Sequence, residues 1–192
     1  AHSQQKGVDA IRMGVQAWTA MELMLAREVD SRAAAVLNVG SFHGGNTNNI
    51  VCDYVKMFLT TRTHSDELTD FMERRIREIC EGTAQMCGGE AKVTVTKLLP
   101  YVINHPAVTK AVTDSAAAVL GEENVREQYR SMGGEDFAFL SRVKPCAMFR
   151  LGVGHGPGVH NDKFNPDEGC FETGIQVFTR FVLDHQDGIK FE

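Results

Sequence analysis

Two histidines, His155 and His160, stand in the glycine-rich stretch Gly152-Val153-Gly154-His155-Gly156-Pro157-Gly158-Val159-His160-Asn161, directly behind an apolar run over residues 146–151. Neutral imidazole is a common transition-metal ligand, and glycines let backbone approach an ion closely. Zinc takes about three or four protein ligands, so two histidines do not by themselves make a site, and a plain surface turn accounts for the loop as well. Met132-Gly133-Gly134-Glu135-Asp136-Phe137 sets two carboxylates at the start of a helix. Acids there favour the helix dipole and cap free N–H groups; the chemical alternative is a carboxylate lining a cleft near a metal. Phe42-His43-Gly44-Gly45-Asn46-Thr47-Asn48-Asn49 crowds amides onto a glycine turn, either as a polar link between strands or as donors for an anionic ligand. Arg62 is able to grip a carboxylate with two parallel hydrogen bonds, or it is simply a solvated strand end.

The elements that position these groups follow from periodicity. Ile11, Val15, Trp18, Met21 and Leu25 recur at helical spacing and predict a helix over residues 8–27 with those side chains on its buried stripe. Residues 33–39 read as a strand running into a loop at 40–46, and residues 50–62 as a second strand in which Val55, Met57 and Leu59 alternate with Lys56, Phe58 and Thr60. Thr63-His64-Ser65-Asp66 supplies a capping signal, and the helix behind it carries Leu68, Met72, Ile76, Ile79, Thr83 and Met86 until Gly88-Gly89 stops it. Val93 and Val95 alternate with Thr94 and Thr96 in a third strand. The order helix, strand, strand, helix, strand is that of a ferredoxin-like βαββαβ unit without its first strand.

The character changes near Pro100-Tyr101, which marks a domain boundary. Residues 106–120 read as a helix with proline in its first turn, 131–140 as a glycine turn opening a short helix, and 146–151 as a strand apolar on both faces. The last helix is expected at 167–184, with Phe171, Ile175, Phe178 and Val182 on one face.

At about 100–200 residues per domain, 192 residues allow one domain or two small ones. A composition of 43% hydrophobic and 23% charged residues supports a packed core and excludes disorder. The net charge of -5 argues against a nucleic-acid partner, which needs a basic stripe. No run reaches the ~20 apolar residues of a membrane helix, so no membrane role is expected. The five cysteines, Cys52, Cys80, Cys87, Cys146 and Cys170, are scattered and odd in number, the pattern of a reduced, cytoplasmic protein. Ala1 in place of methionine, followed at once by a helical pattern, reads as the start of a segment cut from a longer protein.

Several motifs in series resemble the M20 peptidase family, in its amidohydrolase and aminoacylase-like subgroup. Ala1-His2 followed by Gly7-Val8-Asp9-Ala10-Ile11 is similar to the stretch that opens the lid of those enzymes. Gly44-Gly45-Asn46-Thr47-Asn48-Asn49-Ile50-Val51-Cys52-Asp53 resembles their GGTA-x-NVIPD, and Leu59-Thr60-Thr61-Arg62-Thr63 their GTVRT. Residues 132–138 resemble MGGEDFA, and Gly158-Val159-His160-Asn161 resembles their xLHNP. Asn46 stands where the family has threonine and Cys52 where it has proline; neither change removes a catalytic group.

The resemblance implies an α/β (α+β) protein in two parts. Residues 1–99 would be a ferredoxin-like lid and dimerisation domain lacking its first strand, and residues 100–192 the C-terminal segment of an α/β metallopeptidase catalytic domain. It implies hydrolysis of N-acyl amino acids or C-terminal peptide bonds, with two divalent ions (Zn, Mn or Co) per site polarising the carbonyl and activating water. By position, His160 is the metal ligand, Asn49 and Arg62 hold the substrate carboxylate, and His2 reaches the reacting carbonyl in the partner subunit's site. Glu135 and Asp136 would lie near the metal cleft without being ligands. The family's other ligands and its general base precede the lid and match nothing here, so the isolated chain is expected to hold no metal stably and to be inactive. The partners implied are the substrate and a second copy bound through the lid. A non-catalytic dimerisation or small-ligand-binding module is the rival reading, because a ferredoxin-like fold serves either purpose.

Overall fold

Helix α1 (Ala10–Arg27) begins where the Asp9 side chain accepts the Arg12 N–H at 3.1 Å, an N-cap that satisfies a free donor of the first turn. The computed structural model describes residues 3–191. They divide into two compact units: one runs to Tyr101 and takes in Ser131–Gly133, and the other holds Val102–Arg130 and the residues from Gly134 onward.

In the first unit, strands β1 (Ala35–Gly44) and β2 (Val55–Thr63) form a two-stranded antiparallel sheet. Helix α2 (Asp66–Met86) follows, capped by Ser65, whose hydroxyl accepts the Leu68 N–H at 3.2 Å. Both helices pack on the hairpin. Met21, Met24 and Ile76 form the buried centre, with Leu37, Met57, Leu59, Phe71, Ile79 and Val93 closing around it. Arg75 of α2 reaches the Glu28 carboxylate just beyond α1 at 2.7 and 2.8 Å, tying the two helices at the surface.

The buried stripe of α1 is rotated from the expected one. Ala10, Ala17, Met21 and Met24 are buried, whereas Ile11 and Val15 are exposed. Small residues account for the rotation: a side chain added at Gly14 would lie 2.8 Å from the Phe42 ring, so the bare helix face is what lets the hairpin approach.

The hairpin boundaries also differ. β1 continues through residues 40–44, expected as loop, because Ser41 to Gly44 pair with Phe58 to Val55 across a register shift between Val39 and Ser41. β2 starts at Val55 instead of Ile50, because residues 50–54 are committed elsewhere: the Cys52 carbonyl accepts the Ala10 N–H at 2.9 Å. The third expected strand, 93–96, has no ladder partner among the described residues. The Val93 carbonyl instead accepts from Arg77 at 2.8 Å, and Lys97 pairs with Asp70 at 2.7 Å. A strand is defined by its neighbour, so alternation alone does not make one.

The second unit is built on helices α3 (Pro106–Leu120) and α5 (Gly169–Asp184), which pack together, with short α4 (Phe137–Ser141) beside them in sequence. Pro106 opens α3 where its missing N–H costs nothing. Buried Ser115 donates to Asp184 at 3.0 Å and links the two helices. Residues 146–151 have no β-ladder among the described residues. Asn104 takes the place of a neighbouring strand, donating to the Met148 carbonyl at 2.8 Å and accepting the Met148 N–H at 2.9 Å. The α5 face with Phe171, Ile175, Phe178 and Val182 is exposed, and Cys170, Gly174 and Val177 form the buried one. No helix among the described residues is long and apolar enough to cross a membrane.

Candidate functional site

The hairpin turns one face to the helices and leaves the other open. β2 alternates strictly, with Lys56, Phe58, Thr60 and Arg62 outward. Cross-strand partners add His43, Ser41, Asn38 and Val36 to that open face. Lys56 Nζ sits 4.5 Å from the centre of the Phe58 ring, a cation–π contact. Arg62 lies at the last turn of the pleat before Thr63, exposed, with Nη1 donating to the Thr61 carbonyl at 2.9 Å. Its guanidinium thus stands at the strand end on the open face of the hairpin.

Asn49 lies in the connection between β1 and β2, where its side-chain oxygen accepts from Thr47 Oγ1 at 2.9 Å. The connection is anchored at Cys52, which is buried and whose thiol donates to the Tyr54 carbonyl at 3.0 Å. Gly45, with φ at 78°, makes the turn out of β1 against Ile11. The connection departs at the Gly44–Val55 end of the hairpin, whereas Arg62 pairs with Val36 at the other end. At about 3.3 Å per residue these ends are roughly 20 Å apart, so the register does not by itself bring Asn49 and Arg62 together.

His160 belongs to the second unit. It is exposed and has φ at 70°, the only non-glycine residue in the left-handed region among those described. That conformation costs an ordinary side chain about 1–2 kcal/mol, and such outliers concentrate where function holds them. His155 is also exposed in this loop. The Glu135 carbonyl accepts the Ala138 N–H at 3.0 Å, and Asp136 precedes α4 without capping it through its side chain. His2 lies outside the described residues. Among the described residues, no three of the types His, Cys, Asp and Glu converge on a point that would hold a metal ion. These residues therefore do not fit a two-metal centre on their own.

The strongest charge effects lie elsewhere. Hydrogen bonding to Arg75 holds the Glu28 and Glu78 carboxyls below the usual range, and a hydrogen bond from Arg180 does the same for Asp184. Sequence reasoning passed over His64, which it treated as a spacer inside a capping signal. In the structure its Nε2 lies 3.0 Å from the Ser131 carbonyl, a partner distant in sequence that no local pattern announces.

The first unit thus carries a hairpin with an outward arginine and a glycine-hinged amide connection, and the second unit carries a histidine loop with one left-handed residue. Residues 3–184 match Peptidase family M20/M25/M40, and the chain belongs to that family. It is 34% identical over 181 residues to an uncharacterized hydrolase of Sinorhizobium fredii, a match covering 93% of this chain and 45% of that protein. It is 31% identical over 169 residues to N-acetyldiaminopimelate deacetylase of Streptococcus thermophilus, covering 85% of this chain and 44% of that protein. Among solved structures, a dinuclear metal-binding peptidase of the M20 family from Bacillus subtilis superposes with a TM-score of 0.78 at 25% identity, covering 92% of this chain and 46% of that one. The chain thus spans a little under half the length of the curated relatives it matches.

Proposed function

We propose that this chain is the substrate-gripping and C-terminal part of a metal-dependent amidohydrolase that cleaves N-acyl amino acids or C-terminal peptide bonds in the cytoplasm. The observation that carries the reading is Arg62, exposed at the end of β2 on the open face of a hairpin. A rigid strand end suits a planar cation that has to meet a carboxylate in one fixed orientation.

In this reading residues 1–99 form a ferredoxin-like lid whose sheet is completed by a further strand, and the lid pairs two copies. Residues 100–192 close the catalytic domain. Arg62 and Asn49 hold the free carboxylate of the substrate. His2 polarises the reacting carbonyl across the dimer. His160 supplies one ligand to a pair of divalent ions (Zn, Mn or Co), and those ions supply Lewis acidity and an activated water when bound. The remaining ligands and the general base come from outside these residues, so the isolated 192-residue chain is inactive.

Two assays test this. The isolated chain is offered hippurate with added Mn²⁺ or Zn²⁺; turnover would overturn its inactivity. In the full-length enzyme, Arg62→Ala is compared on an N-acyl amino acid and on its carboxamide. Loss of about 10–100-fold in kcat/KM on the acid, with the carboxamide unchanged, supports the grip, as a charge-assisted hydrogen bond contributes about 1.5–3 kcal/mol. Equal losses on both substrates refute it. A full-length protein without hydrolytic activity and without bound metal would leave the dimerisation-module reading in its place.

A further inference from the structure

We propose that His64 is a positioning residue that fastens Ser131–Gly133 to the first unit and so governs the backbone leading into Glu135 and Asp136. The chain leaves the first unit after Tyr101, returns at Ser131 and leaves again after Gly133. His64 touches both of these passages. Its ring centroid lies 6.2 Å from that of Tyr101, and its Nε2 lies 3.0 Å from the Ser131 carbonyl oxygen.

A carbonyl only accepts, so His64 Nε2 carries the proton and donates, whatever the state of Nδ1. The segment it holds is otherwise slight. Residues 125–135 form no helix or strand, and Ser131 folds the turn on itself by accepting the Gly133 N–H at 3.1 Å. Two glycines then precede the carboxylates, so little else in the local sequence stiffens this backbone.

The base on which His64 stands is firm. Thr63 before it is buried; its hydroxyl lies 2.9 Å from the Ser65 carbonyl and 2.6 Å from Thr69 Oγ1. Ser65 after it caps α2. His64 is thus a ring on a rigid strand-to-helix corner, two residues beyond Arg62, gripping a segment with no secondary structure of its own. The function of such a grip is positional: it makes Ser131–Gly133 move with the hairpin that carries Arg62.

The inference stands apart from hydrolysis and is tested on the 192-residue chain. His64→Phe keeps a ring against Tyr101 and removes the donor; His64→Gln keeps a donor. Amide exchange is read by mass spectrometry in peptides covering residues 129–137, with α2 peptides as reference. The expected result is exchange about fivefold faster in 129–137 for His64→Phe, the ratio one ordinary hydrogen bond supports, with α2 unchanged and protection restored in His64→Gln. Long-range nitrogen NMR of the native ring should show a protonated Nε2. Unchanged exchange in His64→Phe, acceleration spread equally over α2, failure of His64→Gln to restore protection, or an unprotonated Nε2 would each overturn the proposal.

Discussion

Replacing Gly14 by alanine should destabilise the first unit, although the same change in most helices stabilises. Glycine in a helix interior costs about 0.8–1 kcal/mol relative to alanine, so propensity alone promises a gain. At Gly14 the added methyl would lie 2.8 Å from Cε2 and Cζ of Phe42 and 3.1 Å from Cγ1 of Val55. Ordinary carbon contacts are about 3.5–4.0 Å, so the hairpin has to retreat or Phe42 has to swing away from Trp18. Overpacking of this kind costs about 1–3 kcal/mol, which leaves a net loss of roughly 0–2 kcal/mol. Gly82 in α2 is the control, since nothing lies within 4 Å of its added methyl. Gly82→Ala should gain the full propensity term of about 1 kcal/mol. Trp18 is the only tryptophan in the chain and its ring lies 6.1 Å from that of Phe42, so its fluorescence reports this packing directly. In urea, with a slope of about 1–3 kcal/mol per molar, the midpoints of the two variants should separate by about 1 M, with native between them. A Gly14→Ala variant as stable as Gly82→Ala would refute the account of how α1 seats on the hairpin.

Other perturbations separate fold from function elsewhere. His160→Gly should leave unfolding midpoints unchanged or raise stability by up to about 1 kcal/mol, because glycine relieves the left-handed backbone; the same change in the full-length enzyme should lower metal content, and a loss of stability without loss of metal would remove His160 as a ligand. Asn104→Ala should cost about 0.5–1.5 kcal/mol in thermal unfolding, since it removes two exposed hydrogen bonds to the Met148 backbone; an unchanged midpoint would refute its role in holding residues 146–151. Glu28 has its carboxyl pKa depressed, chiefly by the Arg75 hydrogen bond, so its contribution to stability is present above the unfolded value of about 4.5 and is lost as pH falls through the lower folded value. Glu28→Gln should therefore flatten the stability curve below about pH 4.5 while lowering it at neutral pH, and a parallel shift at every pH would contradict that linkage.

What the sequence determined by itself was local. Pro106 in the first turn of α3 and the alternation of Val55, Met57 and Leu59 depend on neighbours within a turn or a pleat, and each stands in the structure as the residue types require. The capping signal over 63–66 was local too, although its pattern points to Thr63 and the structure caps α2 with Ser65, two residues on. Family membership was legible for a related reason: motifs in series constrain one another through their order and spacing, even where each is weak. The candidate roles of Asn49, Arg62 and His160 came from that resemblance, since their own neighbourhoods are equally compatible with turns and solvated ends.

Tertiary structure decided whatever depends on a distant partner. The buried face of α1 was set by Phe42 and Val55 closing on Gly14, which the helical stripe of larger residues concealed. Residues 93–96 alternate like a strand, yet the Val93 carbonyl is met by Arg77 and not by a neighbouring strand, because a ladder belongs to two segments and the pattern describes one. Asn104 holding Met148, and His64 holding Ser131, join residues far apart along the chain through single side chains. Such contacts leave no period in the sequence. Only folding, by closing the intervening loops, makes them neighbours.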